Sequence, residues 1–318
     1  MTISPLNVSV VLPCLNEHQS IRDLVRRLCD ELPGAEILVV DDGSSPPIPD
    51  LEGAFVLRHA YNIGNGAAIK TGARHASRDF LMFLDADGQH DPRDISRLLE
   101  KFAEGYDLVV GARSMDGQAS AGRWIANHFY NRFASMLTGF RIKDLTSGFR
   151  AARAKPFKNL LYLLPNGFSY PTTSTMAFFR CGYAVAYVPI KAAPRIGKSK
   201  IRLVKDGLKF LIIILRIGTL FSPMRFFLPL SFAIFLIATS YYGYTYITAN
   251  RFTNMSAVLY LSSLFTFLFG IVSEQISALH YRYSEERRRS TDLRTRATDP
   301  ASNRMEAGRV TPVLRETN

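Results

Sequence analysis

Residues 84–90 read LDADGQH and carry the sharpest chemistry in the chain. Asp85 and Asp87 stand at i and i+2 after an apolar run, so both carboxylates can share one hard divalent cation. Gln89 adds a neutral oxygen ligand, and such a cation can bridge two phosphates. A plain turn would use the same Asp and Gly for backbone geometry alone. Two more acid-bearing segments, Cys14–Glu17 and Asp41–Ser44, also follow apolar runs. Three such clusters favour metal-assisted nucleotide binding over the turn. An EF-hand fails, because His90 stands where its glycine must be and Ser96 holds its twelfth position.

Cations complete the set. Arg113 follows an apolar run, Arg132 lies in an aromatic-rich helical stretch, and Arg195 and Lys200 bracket an IGKS loop. Taken singly, each reads more simply as a solvated surface charge. Together they could offset the several negative charges of a sugar diphosphate and an anionic acceptor. The stretch YNIGNGAAIKTGA (61–73) nearly matches two phosphate loops, but Ile69 stands where both the Walker loop and the dinucleotide fingerprint need glycine. That excludes both and leaves a Gly-rich turn opening a helix, with Lys70 available to phosphate. The six histidines have no metal-type spacing, and there is no G-x-S-x-G elbow.

These residues need a frame. Val8–Leu12, Glu36–Val40, Phe55–His59, Phe80–Leu84 and Asp107–Gly111 read as strands. They alternate with helical spacing over about 19–32, 67–76, 92–104 and 122–138. That order predicts an α/β fold with a mostly parallel sheet covered on both faces. The acids then fall at carboxyl ends of strands, where open α/β sheets bind ligands. From 139 to about 200 the pattern is mixed and sets no order.

The composition, 47% hydrophobic and 21% charged, excludes disorder, collagen and a disulfide scaffold. The mean hydropathy of +0.03 hides an uneven chain. Phe226–Ile247 and Met255–Ser273 contain no charge, and each can cross a hydrocarbon core of ~30 Å as a helix. The net charge of +12 has a local origin: basic residues outnumber acids nine to one between Lys191 and Arg225, just before the first apolar run. Arg282, Arg287, Arg288 and Arg289 follow the second. Such placement marks a cytosolic membrane surface, not nucleic acid. Three cysteines without close spacing fit a reducing compartment, and the N-terminus reads as a strand with no signal-peptide pattern.

The segments VVLPCLNE (10–17), ILVVDDGSS (37–45), IGNGAAIKTGA (63–73), FLDADGQHDP (83–92), VVGAR (109–113) and DLTSGFRA (144–151) resemble glycosyltransferase family 2. More narrowly, they are similar to its polyprenyl-phosphate sugar transferases, and the apolar pair resembles that group's membrane-anchored branch. The resemblance implies a GT-A type nucleotide-sugar-binding fold, inversion at the sugar, and Mg2+ or Mn2+. It implies a nucleotide site of Pro13, Leu15, Glu17, Val40, Asp42, Asp85, Ala86 and Arg113, and a metal site of Asp85, Asp87 and Gln89. Arg132, Arg195 and Lys200 match cations for the acceptor phosphate, and Asp87, Arg113, Arg132 and Arg195 carry the transfer.

The expected layout is a cytosolic domain at 1–200, an amphipathic interfacial helix at 201–222 and two membrane helices within 223–281 (about 226–247 and 255–278). A basic, disordered cytosolic tail at 282–318 completes it. The implied partners are a GDP-mannose- or UDP-glucose-type donor, a polyprenyl phosphate and the membrane, most simply a bacterial or archaeal inner membrane. A second copy through the hairpin is an open option. Two rival readings fit the same motifs: transfer to a glycolipid or polysaccharide hydroxyl, and a non-catalytic membrane scaffold of the same fold.

Overall fold

Unbroken apolar runs form strands whose two faces are both covered, and the computed structural model, which describes residues 3–113, 121–167, 169–191 and 203–298, shows this directly. Strands β1 (Val8–Cys14), β2 (Glu36–Asp41), β3 (Phe55–Arg58), β4 (Phe80–Phe83), β5 (Leu108–Arg113), β6 (Arg150–Arg153) and β7 (Val185–Ile190) make one sheet. Its order is β3-β2-β1-β4-β6-β5-β7. Every pairing is parallel except those of β6, which runs antiparallel to both β4 and β5. Ala151 is the hinge of the register, facing Met82 on one side and Val109 on the other.

Helices cover the sheet with stripes at helical spacing. Helix α1 (His18–Glu31) buries Ile21, Leu24, Val25 and Leu28, and α3 (Ile95–Ala103) buries Ile95, Leu98, Leu99 and Phe102. Residues 92–94, expected inside that helix, form a separate 3-10 turn capped by the Asp91 carboxylate. Helix α2 (Asn65–His75) buries mostly Gly and Ala, so its backbone lies close to the sheet. Helices α4 (Ala121–Thr138), α5 (Ala154–Asn159) and α6 (Tyr170–Arg180) follow.

The chain divides into two compact units, Met1–Phe221 and Ser222–Asn318. The helix expected at 201–222 is α7 (Leu203–Phe221), which packs within the first unit against α4 and α6. It buries Ile214, Ile217 and Phe221 there, while Ile212 stays exposed. A Cβ at Gly218 would come 2.5 Å from Leu137 Cδ1, so this glycine sets the close crossing with α4.

The second unit is a helical hairpin, α8 (Pro223–Ala249) and α9 (Asn254–Thr298). Both are long and apolar enough to cross a membrane, over Pro223–Ala249 and Asn254–Leu279. The tail expected to be disordered from 282 differs: α9 continues to Thr298. Residues 282–298 contain neither Gly nor Pro. Helix propensity sustains a helix there without an apolar stripe. Residues 299–318 lie outside the described residues.

Candidate active site

The site is built where β1, β2 and β4 end. Two loops close it on the β1–β2 side. The Asn16 N–H donates to Ser44 Oγ at 2.9 Å, and the Ser45 N–H donates to Asn16 Oδ1 at 2.9 Å. Asn16 reaches this position at φ 59, and Gly43 turns at φ 78. Asp41 folds its own loop, accepting from the Ser44 N–H and the Ile48 N–H at 2.9 Å each. Asp42 holds the next one, accepting from His59 Nδ1 at 2.7 Å and from the N–H groups of Ile63 and Gly64 at 3.0 and 2.8 Å. The other His59 nitrogen meets Thr71 Oγ1 at 2.9 Å.

Several expected nucleotide residues meet here. Pro13 and Val40 are direct partners across β1 and β2, and the Asp42 N–H donates to the Cys14 carbonyl at 2.9 Å. Leu15 and Glu17 follow on the same loop, half-buried. The Asp42 carboxylate already accepts three hydrogen bonds, so most of its capacity shapes the 61–64 loop.

The metal pair stands one strand over. Leu84 continues β4, its N–H reaching the Val11 carbonyl at 3.4 Å, and Asp85 follows. Burial pushes the Asp85 carboxyl up, with His90 opposing and Asp87 reinforcing. Among the described residues no donor hydrogen-bonds it. The Gln89 N–H donates to Asp87 Oδ1 at 3.2 Å, tightening the turn. Buried Ala86 lies between the two acids. Beside them His90 stacks on Phe149 at 5.1 Å between centroids, its Nδ1 buried without a partner among the described residues.

This donor set fits a divalent cation of the phosphate-binding kind. Asp85 is a half-buried carboxyl that no described donor hydrogen-bonds, and a cation would stabilise its charged form. Among the described residues no group of three or more His, Cys, Asp or Glu forms a closed cage. An ion on two acids and an amide must complete its shell from phosphate and water, as Mg2+ commonly does.

The segment 144–150 supplies the rest, and its importance exceeds what spacing alone indicates. A Cβ at Gly148 would lie 2.3 Å from Asp85 Oδ2, so only glycine lets this backbone pass the carboxylate. Asp144 receives a fork from Arg113, Nε to Oδ2 at 2.9 Å and Nη2 to Oδ1 at 3.0 Å. It also accepts from the N–H groups of Thr146 and Ser147 at 3.0 and 3.1 Å. Burial works to raise the Asp144 carboxyl, but the Arg113 guanidinium outweighs it and holds it low.

Arg150 is fully buried. Its Nη1 donates to the Pro171 carbonyl at 2.8 Å, Ser174 Oγ at 2.7 Å and Thr175 Oγ1 at 3.1 Å, and its Nε to the Ser147 carbonyl at 3.1 Å. Tyr170 lies under the guanidinium, 5.6 Å from carbon to ring centre, and its hydroxyl donates to the Gly148 carbonyl at 3.0 Å. A buried positive charge thus braces the loop that faces Asp85.

A small cleft opens here, lined by Asn65, Asp85, Thr146, Gly148, Ser169, Tyr170, Pro171 and Thr172. Sequence reasoning reached only Asp85 among them, although the Thr-Ser-Gly run in DLTSGFRA was the visible signal. Arg113 sits beside the cleft, fixed by Asp144 and Thr146. Arg132 is exposed on α4 and does not line it. Arg195 and Lys200 lie outside the described residues. Lys70 is not available to phosphate as expected: its Nζ donates to the Leu164 carbonyl at 3.2 Å and bonds Asn166 Oδ1. The first turn of α2 is likewise occupied, by the Asn166 and Gly167 carbonyls at 2.8 and 3.1 Å. The glycine-rich stretch is a docking turn, as its Ile69 indicates.

A mostly parallel sheet with one antiparallel insertion, acids at its strand ends and an open two-carboxylate pair define a GT-A-like glycosyltransferase. Residues 9–161 match the family model described as Glycosyl transferase family 2, and residues 222–279 match the GtrB C-terminal hairpin. The chain is 30% identical over 210 residues to the Polyprenol monophosphomannose synthase of Mycolicibacterium smegmatis, covering 60% of this chain and 79% of that one. It is 26% identical over 293 residues to Glycosyltransferase AglJ of Haloferax volcanii, covering 87% and 96%. The fold is shared with glucosyl-3-phosphoglycerate synthase from Mycobacterium tuberculosis, solved with Mn2+ and UDP-glucose, at TM-score 0.54 and 21% identity over 66% of this chain and 78% of that one. This chain belongs to glycosyl transferase family 2. It is a glycosyltransferase with a membrane-anchoring hairpin.

Proposed function

We propose that the enzyme transfers a hexose, with inversion, from a nucleoside-diphosphate sugar of the GDP-mannose or UDP-glucose type to a membrane polyprenyl phosphate. The observation that carries this reading is the cleft beside Asp85, where Asp85 is the only carboxyl among the described lining residues. A sugar hydroxyl acceptor needs a base to remove its proton. A phosphate monoester, with a second pKa of ~6, is already largely dianionic at neutral pH and needs none. Relatives such as the polyprenol monophosphomannose synthase support the same acceptor class.

Pro13, Leu15, Glu17, Val40, Asp42 and Ala86 line the nucleotide side of the site. Asp85, Asp87 and Gln89 hold Mg2+ or Mn2+, and a bound divalent cation offsets the charge that builds on the departing nucleoside diphosphate. Asp144 fixes the Arg113 guanidinium beside the cleft, so that it can offset donor phosphate charge without reorganisation. Arg132, Arg195 and Lys200 orient the acceptor phosphate. The basic strip from Lys191 to Arg225 rests on anionic headgroups of a bacterial or archaeal inner membrane, with the catalytic unit on the cytosolic side. The test compares polyprenyl phosphate with the matching free polyprenol in one bilayer. Transfer to the phosphate alone is expected, and equal transfer to the alcohol would sink the reading.

A further inference from the structure

His59 takes no part in the chemistry described so far, yet both of its ring nitrogens are bonded and its side chain is only 10% exposed. It follows β3 directly. Its backbone N–H donates to the Asp41 carbonyl at 2.8 Å, which carries the β2–β3 pairing one residue past Arg58. The ring bridges Asp42, just past the end of β2, and Thr71 on α2.

The partners fix which nitrogen carries hydrogen. Asp42 accepts from the peptide N–H groups of Ile63 and Gly64, so its carboxylate is the acceptor toward Nδ1 as well, and Nδ1 donates. Nε2 meets the Thr71 hydroxyl, which serves as donor or acceptor, so this contact steadies the ring in either case. The neighbours of this chain of contacts are closely seated. A Cβ at Gly72 of α2 would come 2.3 Å from Val11 Cγ1 on β1, and one at Gly43 would meet the Tyr61 carbonyl carbon at 2.5 Å.

Counting acceptor sites shows what the arrangement leaves over. An ionised carboxylate offers about four. Oδ1 of Asp42 is filled by His59 and Ile63, while Oδ2 takes only Gly64 among the described residues. One site remains, on Oδ2. We infer that His59 is a positioning residue for the nucleotide. Through Nδ1 it sets the plane of the Asp42 carboxylate, and through Thr71 it keeps its own ring from turning. The open Oδ2 site then meets an N–H or O–H of the donor's nucleoside already oriented, which lowers the ordering cost of binding. This rests on the proposed contact between Asp42 and the nucleotide.

The test uses the full chain in detergent with Mg2+ and reads UDP and GDP binding by calorimetry. Hydrogen exchange at the Ile63 and Gly64 amides is followed alongside. Two substitutions divide the ring contacts. An asparagine amide nitrogen stands near the place of Nδ1, so His59→Asn keeps the donor to Asp42 and gives up Thr71. A glutamine amide reaches the place of Nε2, so His59→Gln keeps Thr71 and gives up Asp42. For whichever nucleotide binds wild type, His59→Gln should weaken binding ~10–100-fold, the scale of a lost hydrogen bond to a charged group, and speed exchange at both amides. His59→Asn should recover most of that affinity. In transfer, His59→Gln should raise the donor KM by the same factor and leave kcat at saturating donor within ~threefold. Thr71→Val should weaken binding ~threefold, as for a neutral hydrogen bond, and should add nothing to His59→Asn, which does not reach it.

Equal losses in the Asn and Gln variants overturn the inference, because a histidine that only fills the core favours neither amide. A fall in kcat with donor KM unchanged overturns it too, as does faster exchange with undiminished nucleotide binding. Should His59→Gln fail to fold, Thr71→Val decides, and unchanged binding there is the overturning result. Failure of both UDP and GDP to bind wild type overturns the inference together with the donor reading. Failure of lipid transfer alone overturns only the acceptor reading.

Discussion

The two units bury opposite kinds of residue. In the catalytic unit Val8, Val10, Leu12, Val39, Phe83 and Val109 are fully enclosed. In the hairpin the enclosed residues beyond Pro223 at its start are Ser231, Ala238 and Thr245 on α8 and Ser256, Ser263, Gly270 and Ser277 on α9. These recur every seven residues, which gives one close seam along an antiparallel pair. The large apolar residues face outward instead, Phe232 at 58%, Phe269 at 63% and Ile247 at 85% exposure. Water drives Val and Leu inward in the first unit. Lipid gives no such drive, so the hairpin gains from close approach and from bonds such as Ser263 Oγ to the Ser231 carbonyl at 2.8 Å. The contrast identifies the solvent of each unit.

One chemical change applied to both units breaks the comparison open. Gly148 and Gly270 each abut another group: a Cβ at Gly148 meets Asp85 Oδ2 at 2.3 Å, and one at Gly270 meets Phe227 Cβ at 2.7 Å. Gly148→Ala must displace the Asp85 carboxyl, and misplacing a reacting group by ~1 Å costs about 100-fold in turnover. Gly270→Ala should leave turnover within about threefold while loosening the hairpin by ~1–3 kcal/mol, the usual range for overpacking. Steady-state transfer and unfolding of each variant in detergent would check this. Equal activity losses would mean that the hairpin packing governs the active site.

Acid separates the units next. The Asp144 carboxyl is held below its unfolded value by Arg113. Its contribution is therefore complete above the unfolded pKa of ~3.9 and is lost as pH falls through the lower folded value. No ion pair is found in the hairpin among the described residues, so acidification below about pH 4 should destabilise the catalytic unit first. Asp144→Asn should remove that dependence and lower stability at neutral pH by ~3 kcal/mol, because Arg113 is left without its partner. Tryptophan and circular-dichroism melts from pH 7 to 3 give the comparison. An unchanged acid limb in Asp144→Asn would assign it to another carboxyl.

The sequence disclosed the parts of each unit whose burial leaves a period. Strands β1, β2, β4 and β5 read as apolar runs because both faces are covered, and the hairpin reads as charge-free stretches because lipid excludes charge. What stayed hidden is buried by other means. β6 reads Arg-Ala-Ala-Arg, and its Arg150 is tolerable inside only because its donors reach Pro171, Ser174 and Thr175, more than twenty residues on. Helix α6 is buried on all sides from Tyr170 to Phe178 and built partly of Thr and Ser, so it has neither a stripe nor strong propensity. The metal acids were legible as local spacing. The groups packed around them were not, because Gly148, Asp144 and Arg150 act through neighbours distant in sequence.

The smallest expected effect sharpens the comparison most finely. Ile37 on β2 is 2% exposed and Ile237 on α8 is 60% exposed, so the same side chain sits in both environments. Ile37→Ala removes apolar surface from a packed core and should cost ~2–5 kcal/mol. Ile237→Ala only exchanges one lipid-facing contact for another, and it should stay within ~0.5 kcal/mol, as surface changes do. Both can be read in one detergent, each against wild type, by following the melt of its own unit. The outcome at Ile237 also bears on assembly. If that face meets lipid alone, alanine is silent at every protein-to-detergent ratio. A loss above ~1 kcal/mol that grows on dilution would instead require a second copy covering α8, since only an association equilibrium depends on concentration.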